Sequence, residues 1–93
     1  MKFDRDSAAA AARRDLARRL GVSEGDVSVK NVSEKDFPDM SLGAPETGEM
    51  SAQMISTGWQ FDLEAGGNSF EYRADKYQLR LKGFQGENHL VKS

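Results

Sequence analysis

The side chains that most often carry out chemistry are sparse in this chain. It contains no cysteine, which excludes thiolate nucleophiles, disulfides and cysteine-based metal sites. Its one histidine, His89, lies near the carboxyl end, where a solvated imidazole is more common than a general base or a metal ligand. We therefore expect no catalytic residue, no metal site, no cofactor and no enzymatic activity.

A segment rich in carboxylates is the nearest approach to a metal site. Its acidic residues are Asp36, Asp39, Glu46 and Glu49. Calcium prefers oxygen ligands, but this spacing matches no EF-hand loop. Aspartates beside proline and glycine more often accept hydrogen bonds from turn backbone. The sequence therefore favours structural roles for these side chains.

Basic residues are concentrated in the second half of a predicted helix. They are Arg13, Arg14, Arg18 and Arg19. The negative end of the helix dipole favours cations there, so a solvated face is the simpler interpretation. Phosphate or nucleic-acid binding is the alternative, although no glycine-rich loop or stacking aromatics accompany the arginines. The net charge of −2, from 13 basic and 15 acidic residues, also disfavours nucleic acid as a partner.

The helix itself is predicted to run from Ser7 to Leu20. The segment is rich in alanine, and either Asp4, Asp6 or Ser7 can cap its amino end. Gly21 follows as a carboxyl-terminal stop. Apolar residues at three- and four-residue spacing form a narrow stripe that consists of Ala9, Ala12, Leu16 and Leu20. This stripe is expected to pack against a sheet.

The stretch from Met50 to Leu81 carries apolar residues at every second position, which predicts strands. Two-residue turns are predicted at Thr57-Gly58, Gly67-Asn68 and Asp75-Lys76. These turns join four short strands with all apolar side chains on one face and charged side chains facing water. They also place Asp62 opposite Arg73 and Glu71 opposite Arg80.

A further strand is predicted around Val27, Val29 and Val32. Its alternation breaks between Val29 and Val32, which indicates either a bulge or a strand contacted on both faces. The fold class is therefore α+β, with one amino-terminal helix packed on a four- to five-stranded antiparallel meander in two layers. We expect a single domain over 1–93, with an ordered part at about 6–84 and a flexible tail at 85–93.

The segment from Phe37 to Gly48 is long for a simple connection and contains Pro38 and Pro45. Long ordered loops often carry function, so it is a candidate contact surface. Its candidate binding residues are Phe37, Asp39, Leu42 and Glu46. The simpler interpretation is a crossover segment whose apolar residues, including Met40, plug the end of the core.

With these residues in view, the chain resembles a set of small uncharacterised bacterial domains often found in exported or lipoprotein-like proteins. Their pattern includes a helix ending in Leu-Gly-Val and a loop of the form W-P-D-x-S-L-G-C-P-x-x-G. Here Leu20-Gly21-Val22 and the segment 37–48 correspond, with Phe37 in place of tryptophan and Ala44 in place of cysteine. The loop cysteine of the family looks suited to a disulfide, so its absence implies a reducing compartment or a core adequate without the bridge. The resemblance implies no catalytic or ligand residues.

These observations lead to a non-enzymatic accessory or interaction domain that contacts an unknown protein or peptide through the 37–48 loop or a sheet edge. The layout is also similar to PepSY-type and cystatin-type modules, which makes a protease-inhibitor-like role an alternative by fold analogy alone. Trp59 and Tyr77 sit at strand starts, where they fill the core or anchor a partner. Ile55 points to the polar face, which would suit a bound partner or a covering loop.

The surroundings of the chain are less constrained by its residues. No apolar run is long enough to span a membrane, so we expect no membrane insertion, and we expect a monomer. A cytoplasmic location is expected if Met1 is the native start, and a cell-envelope or exported one if the chain is an excised domain.

Overall fold

The computed structural model describes residues 2–93, which form one helix and five strands. The elements, in chain order, are α1 (Arg5–Leu20), a 3-10 turn (Glu24–Asp26), β1 (Ser28–Phe37), β2 (Ser56–Ala65), β3 (Asn68–Ala74), β4 (Leu79–Phe84) and β5 (Glu87–Lys92). The strands form one sheet in the order β1-β2-β3-β4-β5, and every neighbouring pair is antiparallel. This confirms the predicted α+β fold class.

The ends of α1 follow from the sequence around them. The carboxylate of Asp4 accepts the N–H of Ser7 at 2.8 Å, and the Ser7 hydroxyl accepts the N–H of Asp4 at 2.9 Å. This reciprocal capping box satisfies two amide groups that lack partners at a helix start. Gly21 adopts the left-handed conformation, with φ 69°, and ends the helix as predicted.

The face that α1 buries differs from the predicted stripe. The buried residues are Ala8, Ala12, Asp15, Leu16 and Ala17. Ala9 is half-buried and Leu20 is exposed, so the helix is rotated relative to the purely apolar pattern. The reason is that a charged residue, Asp15, occupies the position that faces the sheet.

Asp15 is the polar centre of the helix–sheet interface. Its side chain is 2% exposed and accepts hydrogen bonds from the Tyr72 hydroxyl at 2.7 Å, Arg19 Nε at 2.7 Å and Arg18 Nη2 at 2.9 Å. Burial, and then the hydrogen bond to Asp15, raise the pKa of Tyr72 above its ordinary value. A buried carboxylate needs such partners, so this network sets the rotation of α1 on the sheet.

The β2–β3 hairpin turns at Gly66-Gly67, with Ala65 opposite Asn68, and not at Gly67-Asn68 as predicted. Asp62 therefore lies opposite Glu71, and the predicted pairing with Arg73 is wrong. The shift amounts to two residues. Side chains alternate with a period of two, so every side chain keeps its predicted face despite the shift.

The β3–β4 connection spans residues 75–78 and is longer than the predicted Asp75-Lys76 turn. The Asp75 carboxylate accepts the N–H groups of Tyr77 and Gln78, at 2.8 and 3.0 Å, and so shapes the longer turn. Glu71 then lies opposite Lys82, and its predicted pairing with Arg80 is also wrong.

The predicted strand over residues 50–54 is absent, and Thr57-Gly58 lies inside β2 and forms no turn. The edge of β2 that this strand would need is occupied by β1, where Phe37 lies opposite Ser56. The predicted bulge in β1 is confirmed between Val29 and Asn31.

The carboxyl-terminal segment differs from the predicted flexible tail at 85–93. Residues Glu87–Lys92 form β5, and Val91 packs against the core. The preceding turn uses positive φ angles at Gln85 (54°) and Gly86 (83°). With this turn the chain reverses direction and forms the last hairpin of the sheet.

Alkaline titration tests the contact between Tyr72 and Asp15. Because the folded state raises the pKa of Tyr72, its contribution to stability is complete below about pH 10 and is lost as the pH rises above that value. We expect the free energy of unfolding in urea to fall above about pH 10 in the wild type and to fall less steeply in Tyr72→Phe. Tyr77→Phe is the control, because Tyr77 is 58% exposed, and it should follow the wild type. Equal slopes for Tyr72→Phe and wild type would contradict the assignment.

Candidate functional site

The connection between β1 and β2, residues 38–55, covers the sheet face opposite α1; we call it the crossover loop. Leu42 and Ala44 of this loop are fully buried, as is Phe37 where β1 ends. Arg73 and Arg80 lie beneath it and are 9% and 3% exposed. The prediction that this face turns its charged side chains to water is therefore wrong for both arginines.

The two arginines hold the crossover loop through its backbone and one carboxylate. Arg73 Nη1 donates to the carbonyl of Leu42 at 2.8 Å, and its guanidinium lies 5.3 Å from the centroid of the Phe37 ring. Arg80 donates to the carbonyl of Ala44 at 3.2 Å and forms a two-bond ion pair with Glu49. Fork-shaped pairs of this kind are the stronger class of ion pair, so the loop is firmly attached.

Three of the four predicted contact residues of the loop, Phe37, Asp39 and Leu42, make contacts within the fold. Phe37 and Leu42 have no exposed surface. Oδ1 of Asp39 accepts the N–H groups of Gly43 and Ser41 and the hydroxyl of Ser41, and these bonds, led by the one from Gly43, lower the pKa of Asp39. This arrangement supports the simpler interpretation of the loop, but the loop plugs the second sheet face and not the end of the core.

Glu46, the remaining candidate of the loop, contacts a sheet edge. Its Oε2 accepts the N–H of Leu90 in β5 at 3.0 Å. At the opposite edge, β1 carries a bulge and the charged residues Lys30, Glu34 and Lys35. Bulges, charges and occupied N–H groups all discourage the addition of another strand. Both edges thus resemble protected edges, which weighs against peptide binding by strand addition.

The four helix arginines do not form one patch. Arg13 Nε donates to the carbonyls of Glu24 and Val27, at 2.9 and 3.0 Å, and so fastens the turn after α1. Arg18 and Arg19 bind Asp15, and Arg19 also lies 5.7 Å from the centroid of the Phe84 ring. Arg14 forms no ion pair with any residue in the range 2–93.

A groove of about 540 Å³ lies at the end of the sheet where β2 begins and β3 ends. We call it the rim groove, and its apolar lining consists of Met40, Met54, Ile55, Trp59 and Tyr77. Ile55, Met54 and Tyr77 are 73%, 63% and 58% exposed. Few soluble domains of this size gather several large apolar side chains in one exposed place without a function for them.

The floor of the rim groove depends on Gly58. A Cβ atom there would lie 1.9 Å from the carbonyl oxygen of Ala74, so only glycine allows β2 to approach β3 so closely. Beside it, the Ser56 hydroxyl donates to the buried carboxylate of Asp75 at 2.7 Å. Lys2 Nζ lies 5.7 Å from the centroid of the Tyr77 ring and supports the outer wall.

The polar groups of the rim groove serve the fold. Both oxygens of Asp75 accept hydrogen bonds, one from Ser56 and the other from the backbone of Tyr77 and Gln78. His89 lies outside the groove, with its ring 5.9 Å from that of Phe84. No cluster of three histidine, aspartate or glutamate side chains suited to a metal ion occurs within residues 2–93. The rim groove therefore offers a mainly apolar contact surface.

Sequence reasoning identified parts of this site and missed its assembly. Trp59 and Tyr77 were expected as core residues or partner anchors, and Ile55 was noted for pointing away from the predicted core. Met40 and Met54 were assigned elsewhere, to the core plug and to a strand. One signal in the sequence could have indicated this exposed apolar group: Ile55 interrupts the alternating pattern directly after Met54, at the point where regular pairing ends.

Comparison with protein-family models yields a match that covers most of the chain. A family model described as "Domain of unknown function (DUF8738)" matches residues 9–82, a span that runs from α1 into β4 and includes the rim groove. No curated protein and no solved structure matches the chain. Separately, none of the helices formed by residues 2–93 combines the length and apolarity needed to cross a membrane.

Acid titration tests the attachment of the crossover loop. The hydrogen bonds from Arg80 are the main reason that the pKa of Glu49 falls to about 2. Its contribution to stability is therefore complete above pH 4.5 and is lost as the pH falls towards 2. We expect Glu49→Gln to lower the free energy of unfolding at pH 7 and to flatten its decline between these pH values. Glu87→Gln, at an exposed position, should leave the acid decline unchanged. An unaltered decline in Glu49→Gln would show that the ion pair is not formed.

Substitution of Gly58 tests the floor of the rim groove. Gly58→Ala places a methyl group against the Ala74 carbonyl, and we expect a loss of about 1–3 kcal/mol in stability because backbone must move to admit it. Gly25→Ala is the control, because its nearest contact would be the Ser23 hydroxyl at 3.7 Å. Urea denaturation measures both variants. A loss in Gly58→Ala no larger than in the control would argue against the close approach of the strands.

Proposed function

Because the chain belongs to this family of domains of unknown function, we propose its function from its own surface: it is a non-enzymatic interaction domain that binds a protein or peptide partner through the rim groove. The observation that supports this most directly is the concentration of exposed apolar side chains around one concave site. Trp59 and Tyr77 are residue types that commonly dominate binding energy at interfaces. Met40 and Met54 add flexible, polarisable side chains that adapt to varied partners.

The proposed contact surface differs from the 37–48 loop suggested by sequence alone. Of that loop only Met40 lines the rim groove, while Phe37 and Leu42 are buried against the sheet. Met54 and Ile55, from the last residues of the crossover loop, contribute instead. The loop therefore supports binding by holding one wall of the groove.

A protein or peptide ligand suits the groove better than a reacting substrate. Thr57, on the groove wall, donates to Asp36 at 2.7 Å, and Ser56 donates to Asp75, so these hydroxyls are engaged within the fold. The volume of about 540 Å³ is within the range of ligand pockets and accommodates one or two apolar side chains. Such a site recognises shape and apolar character.

Titration with short peptides tests this proposal. The probes are acetylated, amidated Gly-X-Gly peptides in which X is Trp, Phe, Leu or Ser, added to isotope-labelled protein and followed by NMR. We expect the three apolar peptides to shift the backbone amides of residues 54–59 and 76–77 and the indole N–H of Trp59, and the serine peptide to leave them unmoved. Weak, millimolar-range binding is sufficient, because the pattern of shifts identifies the site.

A matched pair of variants identifies the source of the shifts. Ile55→Ser should weaken binding about tenfold, because burial of one large aliphatic side chain is worth that much or more. Val22→Ser is the control, because Val22 is 40% exposed and lies outside the groove. Shifts centred on residues 41–48 or on β1, or equal losses in both variants, would overturn the proposal.

A further inference from the structure

A second and smaller recess lies between the middle of α1, the amino end of β4 and the carboxyl end of β5, away from the rim groove. Its volume is about 140 Å³, and its charged lining consists of Arg14, Asp15, Arg18 and Lys92. Leu79 and Val91 contribute apolar lining. Three cationic side chains from two distant parts of the chain therefore converge on one small space.

The single carboxylate of the recess does not neutralise this charge. Asp15 already accepts hydrogen bonds from Tyr72, Arg18 and Arg19. Arg18 uses one nitrogen for that pair and remains 76% exposed, while Arg14 and Lys92 form no ion pair with residues in the described range 2–93. Like charges at a four-residue spacing on a helix, such as Arg14 and Arg18, repel each other. The convergence therefore favours an anion.

A β-bulge directs Lys92 into this recess. In the β4–β5 pair, Arg80 lies opposite Leu90 but Leu79 lies opposite Lys92, so Val91 is the extra residue. Without the bulge Val91 would lie opposite Leu79, and Lys92 would point to the other face of the sheet. Bulges often re-aim a side chain beside a functional site. This observation is independent of the helix arginines.

We propose that the recess binds a single phosphate group, held by Arg14, Arg18 and Lys92. Guanidinium groups match the geometry of phosphate oxygens, and the lysine supplies a point charge opposite them. The volume equals that of about four or five water molecules, which suits one tetrahedral oxyanion and not a nucleic-acid strand. Arg13 and Arg19, which the basic-helix hypothesis included, are engaged elsewhere and take no part.

The test uses NMR titration of the labelled protein with inorganic phosphate at pH 7 and low salt, against chloride at equal ionic strength. We expect saturable shifts of the amide of Lys92 and the side-chain Nε–H groups of Arg14 and Arg18 with phosphate and not with chloride. The double variant Arg14→Gln, Lys92→Gln should weaken binding at least tenfold. Both side chains are at the surface, and retained spectral dispersion shows that the variant folds.

The matched control is Arg5→Gln, Lys82→Gln, which removes the same total charge at exposed positions outside the recess. It should bind phosphate as the wild type does. Equal weakening in the two double variants would show that the effect comes from net charge alone, and it would overturn the proposal. The absence of saturable shifts would also overturn it. Glycerol 3-phosphate and an acetylated, amidated Gly-phosphoserine-Gly peptide extend the test to other sources of the group. Tighter binding of one of them supports the site and identifies a lipid-headgroup or phosphoprotein source.

Discussion

The ion pair and carbonyl contacts of Arg73 and Arg80 are the constraint on which the rest of the structure depends. A five-stranded sheet has two faces, and residues 2–93 supply one α-helix to cover them. An antiparallel sheet can leave its second face in water. Here the crossover loop covers that face. Burying the backbone carbonyls of the loop would be costly without hydrogen-bond donors. Arg73 and Arg80 supply those donors, and Glu49 compensates the charge that burial of Arg80 would otherwise leave unpaired.

The sheet face that packs against α1 is organised in the same way, except that the buried charge coming from the covering element is negative. A carboxylate from α1 enters the interface and receives the Tyr72 hydroxyl and two guanidinium groups. The helix α1 and the crossover loop are thus each oriented on the sheet by buried charged groups, whose hydrogen bonds can all form in one arrangement. The alanines and leucines supply less specific packing. The rim groove lies at the end of the sheet that these two attachments leave open, because no residue of α1 lines it and only a few crossover-loop residues do.

Period-two alternation was enough to predict the face of the residues in β3, in β2 from Trp59 onward and in β4 as far as Leu81, but not the register. The sequence Gly66-Gly67-Asn68 offers two adjacent turns that differ by two residues in pairing, and both place the same side chains on the core face. The alternation at Met50–Met54 predicted a strand beside β2, but it could not reveal that β1 occupies that position in the sheet. The loop partners of Arg73 and Arg80 were also beyond sequence reasoning, because the carbonyls of Leu42 and Ala44 and the carboxylate of Glu49 belong to a loop without periodicity. For the rim groove, single residues such as Trp59 and Ile55 could be recognised from the sequence. Their grouping could not be predicted, because it depends on the path of the crossover loop.

The residues of the segment 37–48 have structural roles that explain their types. Asp39 binds the backbone of Ser41 and Gly43, Leu42 and Gly43 adopt positive φ angles, and Ala44 is buried. Because Arg80 fastens the carbonyl of Ala44, the loop is held at this position without a disulfide. The sequence of this loop therefore determines how the second sheet face is covered. The residues that line the rim groove lie almost entirely outside the segment 37–48, so this segment serves the fold, and the ligand has to be inferred from residues such as Met54, Ile55 and Tyr77.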